Sequence, residues 1–240
     1  MLPCIFPPFP NRHEFDLFAS MDPAKEVGGD FYDFFFVDED HLALVMADVS
    51  GKGVPASLFM AISKALIKDR AIEGGLTSDI LTNVNNTLCD ENGADLFVTV
   101  WLGILEISTG LITYTDAGHE NPVLVKADGT TELVLPARKK PPVATIEGIS
   151  YTTNTVQMEA GDLLFLYTDG VPEATNAEDE LYGMDRLLAE LQKDHSSDAT
   201  TLLKQVREDV DRFVKDAPQF DDLTMLAIRL NTLGKAIDEQ

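Results

Sequence analysis

Residues 26–53 read EVGGDFYDFFFVDEDHLALVMADVSGKG, and the change of character along this stretch decides the fold. Residues 31–37 are aromatic and β-branched, Asp38, Glu39 and Asp40 are turn formers, and residues 41–49 are apolar again, so the spacing predicts a β-hairpin. The open ends of a hairpin meet at one edge. At that edge stand Asp30, straight after Gly28-Gly29, and Asp48, straight before the turn Ser50-Gly51-Lys52-Gly53. Aspartate beside glycine is ordinary turn chemistry. Two carboxylates brought together nonetheless repel, and with compliant backbone on either side they suit a hard divalent cation.

Working outward, residues 14–19 alternate like a short strand, followed by a loop over 20–26. Beyond the hairpin the period changes. PASLFMAISKALIKDRA, residues 55–71, has proline at a first helical position, sets Leu58, Ile62, Ala65 and Leu66 on one apolar face, and stops at Gly74-Gly75. Residues 77–90 repeat the helical pattern with Ile80, Leu81, Val84 and Leu88 inward and Thr77 or Ser78 as cap. Strands return over 97–106, 111–117, 123–126 and 131–135, a meander that implies an antiparallel sheet. Arg138-Lys139-Lys140-Pro141-Pro142 breaks it, and strands over 151–158 and 162–168 follow, the second ending in Asp169-Gly170. After an acidic loop over 172–180 come helices over 184–193 and 199–214, the latter with Leu202, Leu203, Val206, Val210 and Phe213 as its stripe. A last strand over 223–230 is headed by Asp221-Asp222. Hairpins interleaved with two helical pairs predict an α+β fold, a single-domain α-β-β-α sandwich of antiparallel sheets flanked by helical pairs. The domain is expected over residues 14–231, after a Pro-rich extended lead-in over 1–13 and before a frayed polar tail over 232–240.

Composition narrows the function. The 240 residues are 45% hydrophobic, enough for a sizeable core, and carry 18 Lys+Arg against 41 Asp+Glu, a net charge of -23. Such a charge disfavours nucleic-acid backbones and anionic membranes and favours divalent cations wherever carboxylates gather. Cys4 and Cys89 are too few for a disulfide framework or a thiolate zinc site, which makes a reducing cytoplasm the expected compartment. No apolar run approaches the roughly 20 residues that span a bilayer, and the N-terminus has neither the basic region nor the apolar run of a signal peptide. With no P-loop and no kinase motif, the sequence does not point to phosphate transfer from ATP.

Asp30, Asp48, Asp169 and Asp221 or Asp222 thus form a set, each beside glycine or another carboxylate and each at a predicted strand end. All-carboxylate donors with no Cys or His partner are the ligand set of Mg²⁺ or Mn²⁺, and a bridging carboxylate can hold two ions about 3.5–4 Å apart, an arrangement suited to phosphate ester hydrolysis.

Five blocks in order, AKEVGGDFYDF, ADVSGKGVPASLFM, DAGHENPVL, GDLLFLYTDGVPEA and FDDLTMLAI, resemble the metal-dependent type 2C (PPM) protein phosphatases, specifically the bacterial SpoIIE-like serine phosphatases. The resemblance runs from about residue 15 to 230. It implies that Asp48 bridges two Mn²⁺ or Mg²⁺ ions with the carbonyl of Val49 as an added ligand, that Asp30 completes one metal site, and that Asp169 and Asp221 hold the other. Asp222 stands where many relatives carry asparagine and ranks after Asp221. The implied reaction is attack of metal-activated water on phosphoserine or phosphothreonine, without a phosphoenzyme. The implied partners are a phosphorylated regulatory protein, often an anti-sigma factor antagonist of the STAS fold, an upstream sensor or receiver module, and a second copy of the chain. The helical pair over 55–71 and 77–90 resembles the element through which dimerisation or an upstream module controls metal-site assembly.

The resemblance also has gaps. Relatives of the eukaryotic branch carry a histidine after the bridging aspartate, where this chain has Ser50-Gly51-Lys52, so the general acid is unassigned; His119 reads as a structural histidine. PPVATIEGISY departs from the commoner Pro-Leu-Gly version of the loop that contacts substrate, and the phosphate-binding candidates are Lys25 and Lys52 rather than an arginine. Rival functions are a non-catalytic phosphoprotein-binding regulator of the same fold and a hydrolase of small phosphoesters.

Overall fold

A computed structural model of the chain describes residues 9–10, 12–25, 28–90 and 95–234. Most of the expected lead-in and the tail beyond 234 lie outside the described residues. The chain forms two compact units, each with one five-stranded antiparallel sheet and one pair of helices. The α+β class and the pairing of each sheet with two helices hold.

The first unit carries β2 (Phe31–Phe36), β3 (His41–Val49), α1 (Val54–Ile72), α2 (Thr77–Asp90), β4 (Val98–Glu106), β5 (Leu111–Ala117) and β8 (Asn154–Gln157). Its strand order is β2-β3-β4-β5-β8. Alternation along each strand selects the face toward the helices. Ala43, Val45, Ala47 and Val49 of β3 join Val98, Val100, Leu102 and Ile104 of β4 in one core with Met60 and Ile67 of α1 and Ile80, Leu81 and Val84 of α2. By the same parity Asp48 lies on the face turned away from α1 and α2. Asp33 of β2, by contrast, faces α1, where it is buried with the Lys64 ammonium 3.8 Å away. Lys64 also donates to the Tyr32 carbonyl at 2.9 Å. Burial holds the Asp33 carboxyl above its ordinary range and the Lys64 ammonium below its own.

The buried side of α1 matches the apolar stripe expected from the sequence only at Leu66, which packs half-buried against the core. Ala56, Met60, Ser63, Ile67 and Ala71 are buried, whereas Leu58 is 62% exposed, Ile62 53% exposed and Ala65 exposed. Ala56, Ser63 and Ala71 let the helix lie close on the sheet beside the buried Met60 and Ile67, and Leu58 and Ile62 are left outside.

The second unit holds β1 (Phe15–Asp22), β6 (Val123–Val125), β7 (Thr131–Leu133), β9 (Leu163–Tyr167), α3 (Met184–Lys193), α4 (Ala199–Val214) and β10 (Leu223–Leu230). Its strand order is β1-β10-β9-β6-β7. Here the predicted stripe is the buried one: Leu202, Leu203, Val206 and Val210 of α4 pack with Leu187 and Leu191 of α3 against Leu163, Phe165, Met225 and Ala227. Asp198 caps α4 by accepting from the Thr201 amide at 2.7 Å. The expected meander is divided: β4 and β5 belong to the first sheet, β6 and β7 to the second. The chain leaves the first sheet at Gly118, whose φ of 75° turns it away and whose Cβ position would lie 3.0 Å from Pro142.

Candidate active site

In the first unit the register carries the site. Phe31 pairs with Ala47, and one further step sets Asp30 opposite Asp48. The Val49 amide donates to the Gly29 carbonyl at 3.4 Å. A Cβ at Gly29 would stand 2.8 Å from the Val49 carbonyl oxygen, so this close approach of two backbones requires glycine. The first turn of α1 anchors both glycine stretches through Ser57, whose hydroxyl reaches the Gly28 carbonyl at 2.9 Å and the Gly53 carbonyl at 3.1 Å. Asp30 is buried and Asp48 is half-buried.

Across from Asp48 on β4 stands Thr99, whose hydroxyl lies 3.4 Å from the Asp48 carbonyl oxygen. The same hydroxyl shares a 2.8 Å hydrogen bond with Nδ1 of buried His119. Sequence reading gives His119 a structural place, and this bond supplies a local partner. Thr99 carries no signal in the sequence beyond its place in a strand.

In the second unit Asp169 follows β9 and Asp221-Asp222 precede β10, so antiparallel pairing of the two strands brings both turns to one sheet end. The approach is closer still: a Cβ at Gly170 would stand 2.0 Å from the Asp222 carbonyl oxygen. Asp222 is buried and accepts from the Ala24 amide at 2.8 Å, which ties this turn to the end of β1. Asp221 accepts from the Asp222 amide at 2.9 Å and is half-buried. Burial first, and then the negative charges of Glu173, Asp221 and Glu120, push the Asp169 carboxyl up to about 6. Glu173 and Glu120 escape sequence reading, although Glu173 lies one helical turn after Asp169 and its amide donates to the Asp169 carbonyl at 2.8 Å.

Within either unit, no three His, Cys, Asp or Glu side chains converge closely enough to hold a metal among the described residues. The donor set still fits a hard cation. Burial and, after it, the charges of Glu173, Asp221 and Glu120 disfavour the ionised form of Asp169, a cost that a bound cation would remove. Lys25, Lys52 and the Arg138-Lys139-Lys140 cluster are surface residues. No helix among the described residues is long and apolar enough to cross a membrane.

Solved structures with this arrangement share the type 2C phosphatase fold. The SiaA-PP2C domain of Pseudomonas aeruginosa superposes with a TM-score of 0.80 at 19% identity, over 90% of this chain and 86% of that one. The RsbU and RsbW domains of a Mycobacterium tuberculosis protein do so with a TM-score of 0.78 at 24% identity, over 92% and 61%. The model of the Stage II sporulation protein E (SpoIIE) family matches residues 38–231, and the chain belongs to that family, a branch of the PPM serine/threonine phosphatases. It is 28% identical to the phosphoserine phosphatase RsbU of Bacillus subtilis over 225 residues, covering 92% of this chain and 64% of RsbU. It is also 28% identical to Protein IcfG of Synechocystis sp. over 249 residues, covering 92% of this chain and 39% of IcfG. The chain therefore spans 39% to 64% of the length of these relatives.

Proposed function

We propose that this chain is the catalytic domain of a signalling phosphatase, over residues 14–231, that hydrolyses phosphoserine or phosphothreonine on a regulatory protein. The observation that carries the reading is the strand register, which sets Asp30 opposite Asp48 at one end of the first sheet and brings Asp169 and Asp221 to one end of the second. Asp30, Asp48 and the Val49 carbonyl are the proposed Mn²⁺ or Mg²⁺ ligands of the first unit, and Asp169 and Asp221, with Asp222 ranked after it, those of the second. Asp222 already accepts from the Ala24 amide, which supports a mainly positional task. Two such ions, when bound, lower the pKa of water and neutralise charge on a transferring phosphoryl group. The chain's own part is to hold the carboxylates in place. Thr99 and the Gly29–Val49 contact restrain Asp48, and the Gly170–Asp222 contact restrains Asp169 and Asp221. A protein of the same fold, RsbX, is known in complex with magnesium.

A STAS-like antagonist is the proposed substrate protein, by likeness to RsbU, and the cytoplasm the proposed compartment. The exposed Val54, Leu58 and Ile62 on α1 suit cover by an upstream sensor or receiver module or by a second copy of the chain. An isolated domain is then weakly active and needs high Mn²⁺, whereas full activity at micromolar metal counts against this control.

The deciding experiment is hydrolysis of p-nitrophenyl phosphate and of a phosphoserine protein across a Mn²⁺ titration, with EDTA as control and Asp48→Ala for comparison. Rates should rise with Mn²⁺, vanish in EDTA and fall about 10³-fold in Asp48→Ala, the loss of several kcal/mol of electrostatic stabilisation. Folded protein with no metal-dependent turnover sinks the reading in favour of a binding module; turnover of nucleotides but of no phosphoprotein favours a small-phosphoester hydrolase.

A further inference from the structure

Helix α2 carries two asparagines in mid-course, Asn85 and Asn86, where helix propensity favours neither. Asn85 is fully buried, and its side-chain amide serves a neighbouring segment of the first unit. Its Oδ1 accepts from the Ala144 amide at 3.0 Å, and its Nδ2 donates to the Ile146 carbonyl at 2.9 Å. Accepting from one residue and donating to the residue two further on is what an adjoining β-strand does. Asn86 continues the seam by accepting from the Gly148 amide at 3.0 Å, and Thr82 by accepting from the Tyr151 amide at 3.2 Å. Residues 144–151 are thus laced to one side of α2. The segment so held is not relaxed: Ala144 is buried at a φ of 67°, where residues with a Cβ are rarely found. Such a backbone persists only where its surroundings over-determine it, and Asn85 binds it on both sides of residue 145.

The residue before the strained one reaches toward the candidate site. Val143 exchanges two backbone hydrogen bonds with Val98, its amide donating at 2.9 Å and its carbonyl accepting at 3.1 Å. The place matters, because β5 accompanies β4 only as far as Ala117, opposite Val100. Val143 takes over the flank that β5 leaves. On the other flank Val98 pairs with Val49 and Thr99 with Asp48. Phe97 is bonded to the turn that follows: its carbonyl accepts from the Ser50 amide at 2.8 Å, and its amide donates to the Ser50 hydroxyl oxygen at 2.9 Å. The start of β4 therefore lies between the clamped segment and the strand end that presents Asp48 and the Val49 carbonyl. Two strand spacings, about 10 Å, separate Val143 from Val49.

We propose that Asn85 is a positioning residue for the Asp48–Val49 end of β3: it holds Ala144 in its strained conformation, keeps Val143 on Val98, and so fixes the strand against which the two candidate ligands are set. The inference rests on the reading of Asp48 and the Val49 carbonyl as metal ligands. Cations of the Mg²⁺ kind demand near-ideal octahedral geometry, so slack at the start of β4 is felt as weaker metal binding. An apolar side chain in the place of Asn85 fills space but leaves Ala144 free to relax, and Val143 moves with it. The amide is the part that acts.

The test compares wild type, Asn85→Ala, Ala144→Gly and the double variant by hydrogen exchange without metal, by calorimetric Mn²⁺ titration and by Mn²⁺-dependent turnover. Leu88→Ala, a core substitution on the same helix, controls for general loss of stability. In Asn85→Ala the Ser50, Val98 and Val143 amides should exchange at least tenfold faster. Half-saturation with Mn²⁺ should need about tenfold more metal, equivalent to about 1.4 kcal/mol. Glycine is at ease at φ 67° without a clamp, so Ala144→Gly should return both readings to within about twofold of wild type in the double variant. Leu88→Ala should lower the Tm and leave the Mn²⁺ requirement in place. A cavity at Asn85 is not refilled by glycine at another residue, so a defect without rescue overturns the positioning role, as does an unchanged Mn²⁺ requirement in folded Asn85→Ala protein. Where Asn85→Ala does not fold, Asn85→Ser with and without Ala144→Gly carries the same comparison. Wild type decides one point by itself: an Ala144 amide that exchanges as fast as an exposed loop overturns the clamp. Wild type that binds no Mn²⁺ sinks the ligand reading instead, and the Ser50 exchange rates in the variants then decide whether Asn85 holds the strand end.

Discussion

The two units set their carboxylates in the same way and with unequal tolerance. In the first, Gly29 beside Asp30 meets the Val49 carbonyl beside Asp48; in the second, Gly170 beside Asp169 meets the Asp222 carbonyl beside Asp221. A methyl group would come within 2.8 Å of backbone oxygen at Gly29 but within 2.0 Å at Gly170. The helices differ as well: α4 buries its apolar stripe, while α1 buries Met60 and Ile67 among small residues and turns Leu58 and Ile62 outward. The second unit is therefore packed to hold its two turns in one position. The first leaves more room at the turn and an apolar face on the helix whose Ser57 anchors that turn.

Gly170→Ala should have the largest effect. The added carbon cannot be absorbed by a side-chain rotation, since the obstacle is backbone, so the 169–170 and 221–222 turns must separate. Overpacking of this severity costs about 3 kcal/mol, which at roughly 2–4 °C per kcal/mol lowers the Tm by about 6–12 °C. Thermal melts check the stability, and a loss of metal-dependent turnover beyond that explained by unfolding checks the site. Gly29→Ala needs a smaller shift and should cost about 1–2 kcal/mol, with turnover lowered but recovered in part by higher Mn²⁺. Equal destabilisation by the two substitutions would break the comparison.

Much of this was legible in the sequence for a physical reason. His41–Val49, Leu111–Ala117, Leu223–Leu230 and the helices Thr77–Asp90, Met184–Lys193 and Ala199–Val214 end where a strong periodicity meets glycine, proline or a polar cap, so their limits coincide with the observed ones. The face of α1 was not legible, because both of its sides carry bulky apolar residues, Met60 and Ile67 on the buried one and Leu58 and Ile62 on the exposed one. Nor was the division of the meander, since Gly118 alone marks where the chain changes sheets and a glycine marks many other things. The aspartates at strand ends could be picked out one by one from their glycine neighbours. Their environment could not: the charges of Glu173 and Glu120 on Asp169 depend on a turn and on a strand entry that pattern does not bring together.

Asp169→Asn tests that environment with a moderate effect. The Asp169 carboxyl titrates at about 6 in the folded chain, against roughly 3.9 when unfolded. The folded state therefore holds the proton more tightly. The stability so gained is complete below about pH 4 and is lost as pH rises through about 6, leaving an ionised carboxylate among like charges at neutral pH. In metal-free protein at pH 7.5, asparagine should raise stability by about 1 kcal/mol, a value discounted for partial exposure, and the advantage over wild type should disappear near pH 4. Melts across pH in EDTA read it directly. An asparagine variant less stable than wild type at neutral pH would mean that the carboxylate is held by favourable bonds, contrary to a carboxylate disfavoured by burial and neighbouring charge.

The smallest effect is expected on α1, and it sharpens the contrast between the helices. Leu58→Ser removes an aliphatic side chain that is already 62% exposed, so its cost should stay within about 0.5 kcal/mol. Denaturant titration at low protein concentration measures that cost, and repetition at high concentration adds a second reading. A cost that grows with concentration identifies self-association as what covers the stripe, because a second copy would stabilise wild type by mass action and the serine variant less. A cost of 2 kcal/mol or more even at the lowest concentration would place Leu58 inside the fold and remove the contrast with α4. A small, concentration-independent cost leaves the stripe open in the isolated chain, the condition that an upstream module needs if it is to act on the turn that Ser57 anchors.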